Sequence, residues 1–170
     1  MLKQCWLSFL LATVVILFIA AVKPTYIQTP ALKEATMHAT GPFEVKITPQ
    51  VDAAENAPFA RMPSDKQYHG DLEAAASGLM LSAGSPQKGT AGYVAMEKVT
   101  GSLGGKTGSF VLQHNGTMNG SNRELTITVT PGSGTGQLEG IGGAMSVEIA
   151  SDGKHSYKFE YTLPARRNQD

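Results

Sequence analysis

The chain has 170 residues with 14 Lys+Arg against 14 Asp+Glu, and only 16% of its residues are charged, so its length allows one domain with a short appendage. Zero net charge argues against a nucleic-acid binder, which needs clustered positive charge to neutralise phosphates. The 19 glycines all lie between Gly41 and Gly153 without a three-residue period, which excludes collagen.

Residues 5–22, CWLSFLLATVVILFIAAV, carry no charge and stand between Lys3 and Lys23-Pro24. Such a run reaches the lower limit of the roughly 17–25 residues that cross a hydrocarbon core, so it reads as a secretory signal peptide or a single membrane anchor. Read as a signal peptide, its best small-residue site follows Ala21 and places Ile19 at the −3 position, where alanine is more usual. The segment is not amphipathic, which argues against a buried helix of the folded domain. Either reading sends the rest of the chain across a membrane, expected to be a bacterial inner membrane. The domain is then periplasmic or secreted if the segment is cut, and membrane-anchored if it is not.

Cys5, the only cysteine, precedes the apolar run and so is not a lipid-modified cysteine at the end of a lipoprotein signal. From Lys23 onward there is no thiol, which excludes disulfides, thiolate zinc sites and cysteine nucleophiles together. Residues 23–40 have two prolines and no clear period and read as a tether. Residues 41–163 read as the folded domain and 164–170 as a tail.

Beyond the tether, apolar and polar residues alternate with the period of a half-buried strand. Phe43, Val45 and Ile47 share a face, as do Leu125, Ile127 and Val129, then Met145, Val147 and Ile149, and finally Tyr157, Phe159, Tyr161 and Leu163. Weaker strand candidates cover 66–74, 78–83, 92–100 and 109–118, which makes eight. Glycine-rich stretches at 89–92, 101–108, 115–120, 131–136, 140–143 and 151–154 punctuate them, as tight hairpin turns require. The longest irregular stretch, 49–65, contains three prolines and is expected to fold over one end. Eight short antiparallel strands without an amphipathic helix predict a closed eight-stranded up-and-down barrel, with a two-sheet sandwich as the second choice.

Several motifs fail on inspection. GSLGGKT (101–107) lacks the first glycine of a phosphate-binding loop and precedes a strand, not a helix. PGSGTGQLEG has Glu139 where a dinucleotide fingerprint needs glycine. His38, His69, His114 and His155 never stand at a metal-ligand spacing, and no GxSxG elbow occurs. No cofactor and no metal are therefore expected. The sequons at Asn115 and Asn119 read as two hairpin turns.

The segments GPFEVKITP (41–49), YHGDLEA (68–74), AGYVAMEKVTGSLGGKTGSFVLQHNGTM (91–118), TPGSGTGQLEGIGG (130–143) and DGKHSYKFEYTL (152–163) resemble, in order and spacing, a small bacterial family called domain of unknown function 3224. The resemblance covers about Thr36 to Leu163. It implies an allene oxide cyclase-like barrel and no chemistry. The apolar segment 5–22 departs from the usual member, a bare cytoplasmic domain, and puts any cytosolic role in doubt.

A barrel of this size holds packed side chains or one small ligand. Tyr93 and Glu97 share one strand face, His114 lies with Phe110 and Leu112, and His155 lies with Tyr157, Phe159 and Tyr161. His69 and Glu73 lie opposite Tyr68 and Leu72. Polar groups in an apolar interior need partners, which a ligand supplies unless they pair with one another or face solvent. Tyr93, Glu97, His114, His155 and Tyr161 are accordingly the candidate ligand-binding residues, for a small apolar or amphipathic molecule.

Two other readings stand beside that one. The first is a non-catalytic module that pairs with itself or an envelope protein through an apolar outer face. The second is an isomerase or cyclase of an oxidised lipid, with Glu97 as base or charge stabiliser and Tyr93 or His114 holding the substrate oxygen; a buried Glu97 of raised pKa would favour it. Between Thr36 and Leu163, nine basic against twelve acidic residues leave a net charge of −3. The excess of positive charge therefore sits in the flanking segments.

Overall fold

The computed structural model describes residues 35–50, 58–85 and 88–165. The alternating segments form β1 (Met37–Ile47), β2 (Ala60–Tyr68), β3 (Leu72–Ser85), β4 (Thr90–Leu103), β5 (Lys106–Asn119), β6 (Asn122–Val129), β7 (Thr135–Gly136), β8 (Gly142–Ile149) and β9 (His155–Thr162). Neighbours pair antiparallel in the order β4-β3-β2-β1-β9-β8-β6-β5, and β4 also pairs with β5. The ring closes as an eight-stranded up-and-down barrel, with the two-residue β7 as an extra strand on β5. Closure leaves no long sheet edge exposed.

Several boundaries differ from the sequence reading. β1 begins at Met37, inside the stretch read as a tether, because Ala39 and Gly41 are too small to show the alternation. Residues 66–74 are not one strand: 66–68 end β2, Gly70 turns the chain at φ +95°, and β3 continues from Leu72 through 78–83. The irregular stretch 49–65 contains the first half of β2, including Pro63. Pro63 accepts from Thr48 N through its carbonyl, so its missing N–H lies on the β1 side, beyond the last register pair Ile47↔Ser64, and the ladder to β3 is intact. Residues 51–57, the segment 5–22 and the tail beyond Ala165 lie outside the described residues. Among the described residues no helix is long and apolar enough to cross a membrane.

The glycine-rich stretches also resolve differently. Gly101–Leu103 belongs to β4, and only Gly104 and Gly105, at φ +55° and +77°, form the turn before the exposed Lys106. Two consecutive positive φ angles define a type I′ hairpin, whose twist matches the strands it joins. The first sequon, at Asn115, lies within β5 and not in a turn. Residues 130–141 are a long connection laid along β5 where β6 has ended, held by Val111 N donating to Ser133 Oγ (3.0 Å) and Thr107 N donating to Gln137 Oε1 (2.8 Å). That connection inserts the buried Leu138 and Ile141 into one end of the barrel.

Inward side chains fill the barrel unevenly. Tyr68, Phe110, Tyr157 and Phe159 occupy its middle and are fully buried. The Tyr157 hydroxyl accepts from Leu72 N (2.9 Å) and donates to His69 O (3.1 Å), tying β9 to the β2–β3 turn. Leu72, Leu103, Leu138, Ile141 and Tyr161 close one end. At the other end Ile47, Leu125 and Ile149 remain 43–63% exposed around an opening.

Candidate functional site

That opening leads into a pocket of about 190 Å³ walled by Phe43, Val45, Ile47, Met80, Leu125, Ile127, Val147 and Ile149. Its polar residues come from separate strands: Lys66 from β2, Tyr93 and Glu97 from β4, His114 from β5 and His155 from β9. Broader concavities, of about 640 and 880 Å³, lie on the outer wall and beside Lys106 and Pro164. Neither is lined by Glu97 or His114, so the smaller mouth pocket is where chemistry is concentrated.

Glu97 anchors the floor. It is 3% exposed, and its Oε2 accepts from Lys66 Nζ at 2.6 Å while its Oε1 accepts from the Tyr68 hydroxyl at 2.8 Å. Lys66 Nζ also donates to the Tyr68 hydroxyl at 3.3 Å and stands 5.3 Å from the Phe43 ring centroid. These groups come from β2 and β4, with β3 between them. The reach is short because between Leu72 and Met80 β3 turns only the small Ala74, Ala76 and Gly78 inward, and Gly78 is the register partner of Glu97. A side chain at Gly78 would press on Glu97 and on Met96 O.

His114 completes the floor and is 7% exposed. Its Nε2 lies 3.0 Å from Glu97 Oε2, near enough for an ion pair when protonated, but off the line of a hydrogen bond. Among the described residues, buried Nε2 therefore has Glu97 as a charge partner but no well-aligned hydrogen bond.

Burial pushes the Glu97 carboxyl up, but His114, Lys66 and Tyr68 together outweigh it and hold it below its usual range. Glu97 is thus an ion-paired carboxylate of low basicity. The raised pKa that would favour an acid–base enzyme is absent. Burial first, and the Glu97 charge second, push the Tyr68 phenol far up, so Tyr68 is a fixed donor. Tyr93 moves in the same direction for the same reasons.

Four of the five residues singled out in the sequence, Tyr93, Glu97, His114 and His155, line this one pocket. The Tyr93 ring lies over Gly116, its register partner on β5, where any side chain would collide with it. His155 packs against Phe43 with ring centroids 5.1 Å apart. Tyr161 lies at the closed end, stacked on Phe159 at 5.2 Å, and is no part of the pocket. His69 is on the outside, between Glu44 (3.1 Å) and Glu73 (3.5 Å). Sequence reasoning missed Lys66 and Tyr68. The signal was there, since the two-residue period puts Lys66 on the apolar face that carries Tyr68 and Leu72, where a lysine needs a partner.

Among the described residues no three His, Cys, Asp or Glu side chains are grouped to hold a metal ion. The family model described as "Protein of unknown function (DUF3224)" matches residues 39–161. The chain belongs to the DUF3224 family. The crystal structure of a DUF3224 protein of unknown function from Shewanella oneidensis MR-1 is 43% identical, with 76% of this chain and 100% of that chain covered and a TM-score of 0.68. No curated protein matches the chain. DUF3224 membership thus agrees with the barrel and leaves chemistry to be argued from the pocket.

Proposed function

We propose that this DUF3224 barrel is a non-catalytic binding protein for a small apolar or amphipathic molecule, held in the mouth pocket. The observation that carries the reading is an apolar opening whose floor gathers the buried polar side chains of Lys66, Glu97 and His114. The pocket is smaller than the roughly 300–1,000 Å³ of drug-sized ligand sites. It is comparable with the ~150 Å³ engineered cavity that takes up benzene, so the ligand is about one ring in size. The low basicity of Glu97 counts against the isomerase reading.

Titration of the full chain with benzyl alcohol, followed by ligand-observed NMR, tests this. Uptake is expected, and Val147→Trp, which fills the pocket from β8, is expected to abolish it. Uptake unchanged in the variant would place the ligand elsewhere.

We propose further that the protein acts outside the cytoplasm, delivered or anchored by residues 5–22; the uncharged apolar run supports this. Protease added to spheroplasts, whose inner membrane is intact and outer membrane opened, should degrade the barrel or find it already released. Self-association is a second reading, favoured by Phe59, Val94 and Met96, about half exposed on the outer wall beside Leu79 and Leu81. Monomeric sedimentation at high concentration would remove it.

A further inference from the structure

The pocket floor has more donors than acceptors, and this sharpens the binding reading on which it rests. Of the three Lys66 ammonium protons, Glu97 and Tyr68 engage two. Both Glu97 oxygens already accept hydrogen bonds and the residue is almost fully buried, whereas the Lys66 side chain keeps 12% exposure. The titratable groups facing His114 are Lys66 and Tyr68 from β2, Glu97 and Tyr93 from β4, and His155 from β9. Against one carboxylate, whose charge Lys66 balances, stand two imidazoles able to become cations. A cationic ligand would meet Lys66 with no free counter-charge, and a neutral one would leave its donors partly unmatched.

We infer that the pocket takes a small carboxylic acid with an apolar body, and that His114 gains a proton as the carboxylate binds. The balance is simple: the acid enters as its anion, one proton moves from solvent to the His114 imidazole, and the floor stays neutral overall. No bond is made or broken in the ligand.

The test is calorimetric titration of the full chain with benzoate, benzyl alcohol and benzylamine, the benzoate arm repeated in two buffers of different ionisation enthalpy. Benzoate should bind at least about tenfold tighter than benzyl alcohol, as a charge-assisted contact allows. Its binding should weaken as pH rises, with uptake approaching one proton per benzoate. His114→Gln should abolish that uptake; should this variant not fold, the two-buffer measurement on the unaltered chain still decides. Equal binding of benzoate and benzyl alcohol without proton uptake would overturn this inference and leave the pocket reading standing. Tightest binding of benzylamine would do the same. Binding of none of the three would overturn both.

Discussion

The Tyr68 hydroxyl on β2 reaches across β3 to donate to Glu97 Oε1 on β4 over 2.8 Å. The bond aims the other carboxylate oxygen at Lys66 and His114, so one phenol orients the whole floor. Hydrogen bonds to charged groups contribute about 1.5–3 kcal/mol. Tyr68→Phe is expected to lower stability by that amount in urea unfolding at neutral pH while leaving the barrel intact by circular dichroism.

The Lys66–Glu97 pair should behave as a buried ion pair, costly to break and cheap to replace. Glu97→Gln leaves the mostly buried ammonium without its counter-charge, an expected loss of about 3–5 kcal/mol. The double change Lys66→Met with Glu97→Met should be markedly less harmful than either single change. Denaturant unfolding of all four proteins gives the coupling, and simple additivity would show that the pair is not energetically linked.

Stability should depend on pH at both extremes with opposite signs. Glu97 has a folded pKa below the ordinary glutamate value of 4.5, so its contribution is fully present above that value and is lost as pH falls from there through the folded pKa. Glu97→Gln should flatten this acid limb relative to the unaltered protein. Tyr68 is shifted the other way from its ordinary 10.0, so above about pH 10 the unfolded chain loses a proton that the folded one keeps, and stability falls. Tyr68→Phe should reduce that alkaline slope without removing it, because Tyr93, Tyr157 and Tyr161 are raised too.

Gly116 and Tyr93 should prove to be a matched pair. A methyl at Gly116 meets the Tyr93 ring, and overpacking of this kind costs roughly 1–3 kcal/mol. Thermal unfolding should show Gly116→Ala destabilised and part of the loss recovered by adding Tyr93→Ala. The single change Tyr93→Ala should widen the mouth and admit ligands larger than one ring.

The barrel should open first between β6 and β8. Those strands share two register pairs, Ile127↔Met145 and Thr128↔Ala144, whereas β4 is paired along its whole length on both sides. Local opening follows the weakest ladder, so hydrogen exchange should be faster in 142–149 than in 92–103. Leu125, Ile127, Val147 and Ile149 make this seam a pocket wall, and a bound ligand should slow exchange there.

Much of the barrel could be read directly from alternation. The runs at 43–47, 125–129, 145–149 and 157–163 declare their inner faces, because side chains on a strand have a period of two and the apolar set must turn away from water. A turn within 101–108 was legible for an equally local reason, its run of glycines, and the structure narrows it to Gly104 and Gly105 at positive φ. Harder to read were β2 and the start of β1, where Pro63, Ala39 and Gly41 blur the alternation. Also hidden was the 130–141 connection, whose Leu138 and Ile141 plug one end only once the barrel exists.

Local periodicity thus assigned Glu97 and His114 to strand faces, and the apolar run 5–22 stood out from composition alone. Their meeting was decided by tertiary structure. Lys66 and Glu97 are 31 residues apart, and a two-residue period says which way each points but not what stands opposite. That depends on the hydrogen-bonded register from strand to strand and on closure of the ring. Closure also sent Tyr161 to the filled end and left Tyr93, His114 and His155 at the open one.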